Sequence, residues 1–396
     1  MTLTVGGAGA SAHPVSALLD TRKACYSGTH RILPAEETFR RIERVFATVG
    51  ITRLADVTWL DEIGIPVFQA VRPNAWTLAV SQGKGLTPAL AKVSAAMESI
   101  ESWHAERVGP GDRTASVDEM ERECGYRVHE LPLTRRHYLN STARLEWTRA
   151  IRLDDGREAY VPTGLIRLDS RVRGEWSPSL FDVSSNGLAS GNTWLEATLH
   201  GLYEVIERDA LVVASGAEAT PRLTLDSVTG PAADLLALFA AAGVDVSVEV
   251  LPTPIGLACF RATISSEVLP VSFAGFGCHL DSEVSLCRAL TEAAQSRATE
   301  IAGTRDDITS GAYRRANEVM SGRAHRSTVD AAGQLDFAEV ATVRHDDLAD
   351  DLRLTVRRVL DHTGRAPLVV DHTKPEVGIP VVHVVCPRLR YDPAVI

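Results

Sequence analysis

Apolar residues recur along this chain with two periods, one near 3.6 and one of 2, and the changes between them divide it into long helices and short strands. Leu90, Val93, Met97 and Ile100 form one helical stripe, on a segment running from about Pro88 to Glu106. Leu195, Leu199, Leu202 and Ile206 form a second, on Trp194 to about Ala214. A third long helix is predicted over Ser282 to Ile301, with shorter ones at Thr38–Val49, Val117–Glu123 and Ala232–Ala242. Strands are predicted at Val67–Val71 and Thr77–Ser81 around the turn residues Arg72-Pro73-Asn74, then at Val244–Leu251, Leu257–Ile264 and Val271–Gly275. Two more close the chain, at Pro367–Val370 and Pro380–Cys386, and Asp154-Asp155-Gly156 reads as a hairpin turn. Ser184–Asn192 is a loop, and the polar stretch from Gly303 to Leu335 reads as a surface excursion. Helices and strands mix without strict βαβ order, so an α+β arrangement is expected.

The polar positions beside these stripes share a spacing. Ser94, Glu98 and Glu101 lie at i, i+4 and i+7 on the first helix, His200, Glu204 and Glu207 on the second, and Arg288, Glu292 and Gln295 on the third. Each set falls on one helix face. A solvated surface would produce the same pattern. Against that reading, the two Glu-x-x-Glu pairs place like charges one turn apart, which costs a few tenths of a kcal/mol unless a cation intervenes. Converging pairs would make a hard oxygen basin suited to magnesium, which is commonly held by one or two carboxylates plus substrate phosphates.

The loops before the helices fit an anionic ligand too. Ser81-Gln82-Gly83-Lys84-Gly85 is not a P-loop, yet its glycines and Lys84 suit a phosphate as well as an ordinary turn. Asn192 and Thr193 stand where backbone N–H groups meet an anion, or where a side chain caps the helix. His200 on its helix is either packed structure or a proton shuttle.

Charge narrows the partners. With 41 Lys and Arg against 51 Asp and Glu, the net charge of −10 argues against nucleic acid as partner. The 6 cysteines have neither CxxC nor zinc spacing and read as reduced thiols of a cytoplasmic protein. No stretch is apolar enough to span a membrane. Met1 to Pro14 lacks the pattern of a signal peptide and reads as a tail, so residues 1–20 are expected to be flexible and 21–396 to form one large domain.

The segments SQGKGLTPALAKVSAAMESIESWHAE, SSNGLASGNTWLEATLHGLYEVIERDA and GFGCHLDSEVSLCRALTEAAQSRATEIAGTRDD resemble the three sequence blocks of the YcaO family. The resemblance runs from about Ala24 to Arg390, flanking segments included. It implies an α+β YcaO fold with mixed and antiparallel sheets, whose long helices line a site for ATP and Mg. It also implies the chemistry: ATP phosphorylates a peptide amide oxygen, a nucleophile attacks the carbon, and phosphate leaves. The product is an azoline, a macrocyclic amidine or, with a sulfur donor, a thioamide. By the family pattern Glu98, Glu101, Glu196, Glu204 and Glu207 hold magnesium, although Glu196 also suits a first-turn acid favoured by the helix dipole. Ser94, Asn192, Arg288, Glu292 and Gln295 lie at the nucleotide, Lys23 and Ser27 near adenosine or phosphates, and Lys84, His200 and Arg297 act in catalysis. Implied partners are a ribosomal precursor peptide, a helper or sulfur-donor protein, and a second copy in a homodimer. Two departures stand out. Ser102 follows Glu101 where many members have Arg, and the chain ends without the PxPxP tail of partner-dependent azoline formers. The missing tail disfavours a partner-dependent azoline synthetase and leaves two expectations, a stand-alone cyclodehydratase and a thioamide synthetase that needs a sulfur donor and a helper.

Overall fold

The computed structural model describes residues 21–171, 179–269, 271–304 and 333–395. The expected tail and most of the polar excursion after Gly303 lie outside them. The strands are β1 (Ala24–Tyr26), β2 (Thr29–Arg31), β3 (Arg53–Asp56), β4 (Val67–Val71), β5 (Val80–Lys84), β6 (Arg113–Ser116), β7 (Arg144–Arg152) and β8 (Glu158–Pro162). They continue as β9 (Leu188–Ser190), β10 (Arg222–Leu223), β11 (Asp245–Val250), β12 (Ala258–Ser265), β13 (Phe273–His279), β14 (Gln334–Leu335), β15 (Leu368–Asp371) and β16 (Val381–Val385). The helices are α1 (Ala35–Ile42), α2 (Phe46–Val49), α3 (Pro88–Glu106), α4 (Val117–Cys124), α5 (Thr163–Ile166), α6 (Trp194–Ser215), α7 (Pro231–Ala241), α8 (Ser282–Ala302) and α9 (Leu348–Thr363).

Beside the β1–β2 hairpin, the strands form three sheets. One has the order β3-β4-β5, a second β13-β12-β11-β10-β14, and the third β6-β7-β15-β16-β9 with β8 against β7. Pairing is antiparallel except between β10 and β14. This is the α+β arrangement of mixed and antiparallel sheets expected from the sequence.

Each sheet carries one long helix, and the local sequence explains each start. Thr87 caps α3 by accepting from the Leu90 amide at 3.3 Å, with Pro88 next. Thr193 caps α6 through the Glu196 amide at 3.2 Å, and Asp281 caps α8 through the Glu283 amide at 3.0 Å. Helix α3 lies on β4 and β5, α6 between β16 and β13, and α8 on β12 and β13. Leu202 and Ile206 of α6 share a core with Val382 and Val384 of β16 and Cys278 of β13. The approach of helix to strand is close enough to require glycine: a methyl at Gly83 would overlap the Ala95 nitrogen and Ala91 oxygen, and one at Gly275 the Ala293 nitrogen and Ala289 oxygen.

Most elements fall where the periodicity put them, with exceptions. The predicted Thr38–Val49 helix is broken into α1, a 3-10 turn at Glu43–Val45, and α2. The predicted Thr77–Ser81 strand lies instead at Val80–Lys84, because the Trp76 and Thr77 amides donate to Glu106 Oε1 at 3.0 and 3.2 Å rather than to a neighbouring strand. Residues 188–190, read as loop, form β9 on the edge of the largest sheet.

Candidate functional site

The three polar stripes converge. Ser190, at the end of β9, donates from its amide (2.8 Å) and hydroxyl (2.6 Å) to Glu101 Oε1 on α3. The charges of Glu98 and Glu204 reach the same carboxyl. Lys84 of β5 and Glu292 of α8 form an ion pair of 2.5 Å, each side chain one-fifth exposed. Arg208 stands 3.9 Å from Glu204 and 3.7 Å from Glu207, and Arg288 contacts His200 at 3.1 Å. Glu98, Glu101, Glu204, Glu207 and Glu292 thus share one basin with Lys84, Arg208 and Arg288.

Its electrostatics are those of carboxylates with too little water. Burial, then the neighbouring Glu98 and Glu204, push Glu101 up to about 8 despite two hydrogen bonds from Ser190. Burial raises Glu204 to about 7 and raises Glu207, against the opposing pull of Arg208. Glu292 goes the other way, since Lys84 and Arg208 outweigh its burial. A divalent cation would take the place of the protons that these acids retain. Among the described residues no three ligating side chains converge closely enough to hold an ion unaided. The donor set still fits magnesium, which completes its shell with water and phosphate oxygen.

The YcaO family model, described as a YcaO cyclodehydratase that binds ATP and Mg2+, matches residues 82–390 of this 396-residue chain. The chain belongs to the YcaO family. ATP and magnesium are accordingly its cofactors. Uncharacterized relatives include a Mycobacterium tuberculosis protein, 38% identical over 363 residues (91% of this chain, 83% of the relative). A Methanothermobacter thermautotrophicus protein is 38% identical over 367 residues (89% and 93%). A Rhizobium leguminosarum bv. trifolii protein, named for its position in the tfuA 3′ region, is 33% identical over 388 residues (91% and 89%). Among solved structures, the YcaO protein of Methanopyrus kandleri bound to AMPPCP and Mg2+ has the same fold, with TM-score 0.72 and 24% identity over 93% of this chain and 94% of that one. A heterocyclase in complex with substrate and cofactor matches with TM-score 0.74 and 22% identity, over 94% of this chain and 54% of that one.

The other expected YcaO site residues divide. Ser94 and Gln295 are half-buried, one turn from Glu98 and Glu292 along the same helix faces. Glu196 is buried within the site: Oε1 accepts from Asn192 Nδ2 at 3.2 Å, Oε2 from the Ile32 amide at 3.3 Å, and Arg31 Nε lies 3.5 Å away. Asn192 also accepts from Thr38 at 3.0 Å. Ser27 is exposed in the β1–β2 turn.

Three expectations need correction. Arg297 points away from the basin, 140° around α8 from Glu292 by helical geometry, and is buried against Asp61 at 3.0 Å and Ser266 at 2.8 Å, so its role is structural. The Lys23 ammonium is buried in an ion pair of 2.5 Å with Asp351 of α9 and does not offer a free charge to phosphate. His200 is no free base: burial and the nearby Arg288, Arg31 and Lys84 hold its pKa well below the ordinary value, and Arg288 occupies its Nε2.

Sequence reasoning missed Arg208, although a cation directly after a Glu-x-x-Glu pair was a visible signal. It also missed a small cavity beside the basin, lined by His30, Arg31, Glu196, Tyr203, His279 and Arg288. His30 and His279 meet edge to face at 5.3 Å, and Tyr203 tilts against His279 at 4.6 Å. These residues come from β2, α6, β13 and α8, a juxtaposition without local signal.

Proposed function

We propose that this protein uses ATP and magnesium to activate a backbone amide of a ribosomally made peptide, by phosphorylation of the amide oxygen, and that the activated amide is closed by a nucleophile of the same peptide. The observation that carries the reading is the basin itself: glutamates of α3 and α6 pushed toward protonation by burial, with Glu292 of α8 paired to Lys84, beside a cavity walled by arginine and aromatic rings. A scaffold has no use for such an arrangement.

A peptide amide is a poor electrophile because its nitrogen donates into the carbonyl, and its oxygen is a poor leaving group; as a phosphate ester, that oxygen departs readily. The work of the protein is placement and charge stabilisation. Magnesium, when bound, neutralises phosphate charge and draws it out in the transition state. Glu98, Glu101, Glu196, Glu204, Glu207 and Glu292 would hold it. The cavity of His30, Tyr203 and His279 would take the base and ribose, and Arg31, Arg208 and Arg288 the phosphates. Lys84, now on Glu292, would turn to phosphate as the metal claims that carboxylate. Ser94, Asn192 and Gln295 would border the nucleotide.

The attacking group belongs to the substrate. Mass spectrometry of the precursor peptide after incubation with enzyme, ATP and magnesium alone tests the reading. Loss of one water, about 18 Da, is expected for an azoline or macrocyclic amidine, since the amide oxygen departs on phosphate. The second reading is thioamide formation with a sulfur donor and a helper protein; one relative is encoded beside tfuA, which makes that neighbour's product a candidate to add. A gain of about 16 Da that requires sulfide would establish it and displace the first. If calorimetry shows no binding of MgATP at millimolar concentration, both fall.

A further inference from the structure

We propose that His200 is a positioning residue for Arg288: its ring offers an acceptor that fixes the guanidinium over the carboxylate basin. The inference rests on the nucleotide reading above and assigns the acceptor that the reading lacks.

His200 lies on α6 one turn after Glu196 and one turn before Glu204, so it projects into the groove that α6 shares with β9 and α8. Its Nε2 is 3.1 Å from Arg288 Nη2. A guanidinium only donates, so the Arg288 contact requires the lone pair of a neutral ring, with the ring proton on Nδ1. Burial and the nearby Arg288, Arg31 and Lys84 lower the ring's pKa well below the ordinary value, in keeping with that neutral form.

Among the described residues Arg288 makes no other side-chain hydrogen bond or ion pair, yet it must be held still. Its Nε is buried without a hydrogen-bond partner, a donor left for an anionic oxygen, and both residues line the cavity beside the basin. Ser190 of β9 holds a basin carboxylate nearby, its amide and hydroxyl donating to Glu101.

The test is calorimetric titration of the full chain with AMPPCP and magnesium at pH 7.5. His200→Leu removes the acceptor and should weaken binding about tenfold. Gln places an amide oxygen near the position of Nε2, so His200→Gln should recover affinity to within about threefold of wild type. Asn is polar but falls short of Arg288, so His200→Asn should lose about as much as His200→Leu while keeping a polar, foldable site. In an Arg288→Ala background the cost of His200→Leu should shrink below about twofold, because the residue acts only through the arginine. Tight binding by both His200→Leu and His200→Asn would overturn the proposal, as would a loss undiminished without Arg288 or no rescue by Gln. If His200→Leu fails to fold, the Asn and Gln variants decide. Failure of the wild type to bind removes the nucleotide reading itself, and this inference with it.

Discussion

Glu101 and Glu204 hold protons that free glutamates release. With folded values of about 8 and about 7 against an ordinary 4.5, they bind protons that the unfolded chain gives up. Their contribution to the metal-free protein is therefore fully present below the ordinary carboxylate pKa and is lost as pH rises through 7 and 8. Metal-free protein should melt lower at pH 8.5 than at pH 6, and MgATP should recover more at pH 8.5; scanning calorimetry at both values checks this. Replacing Glu204 by Gln keeps the shape and removes the charge. It should abolish turnover and raise the melting temperature of the metal-free protein by about 2 °C at pH 8. Full activity in Glu204→Gln and Glu207→Gln alike would return that face of α6 to solvent. The i, i+4, i+7 spacing made these residues legible, because one helix face is a local property of sequence. The roles of Arg297 and Lys23 were not legible. Arg297 meets Asp61 across 236 positions, and no spacing reveals so distant a partner.

Helix placement depends on what the strands omit. Gly83 of β5 lies under α3, and Gly275 of β13 under α8, each against helix backbone. Gly275→Ala should destabilise the fold by about 1–3 kcal/mol by wedging α8 outward. It should also weaken MgATP binding, because Glu292 and Arg288 ride on that helix. Thermal melts and calorimetry read the two effects separately. The glycines also explain an error of reading: alternation fades in Gly275-Phe276-Gly277, so the strand was expected to stop where it continues to His279. Helix α9 went unassigned although Leu348, Val356 and Val359 are buried at helical spacing, because its charged residues dilute the stripe. Long elements were legible because each buries one continuous stripe. Short β9, whose partner β16 lies nearly 200 residues away, was not.

At the scale of the whole molecule, the site is the place where three sheets meet through one helix each. A ligand that grips all three opposes every way of separating them. At about 100 times its dissociation constant, MgATP should stabilise the fold by about 2.7 kcal/mol, seen as an upward shift of the melting transition that Glu204→Gln removes. A homodimer is proposed from the family resemblance, and light scattering should then give twice the 42.7 kDa chain mass. Sheet order was not legible, since β15 lies between β7 and β16 and β10 pairs with both β11 and β14. Register follows only once distant segments have met. Among the described residues no three ligating groups converge on one point. On the proposed reading, nucleotide without metal would meet a basin of acids, so ATP should enter as its magnesium chelate, and turnover should follow the chelated fraction of the nucleotide rather than its total.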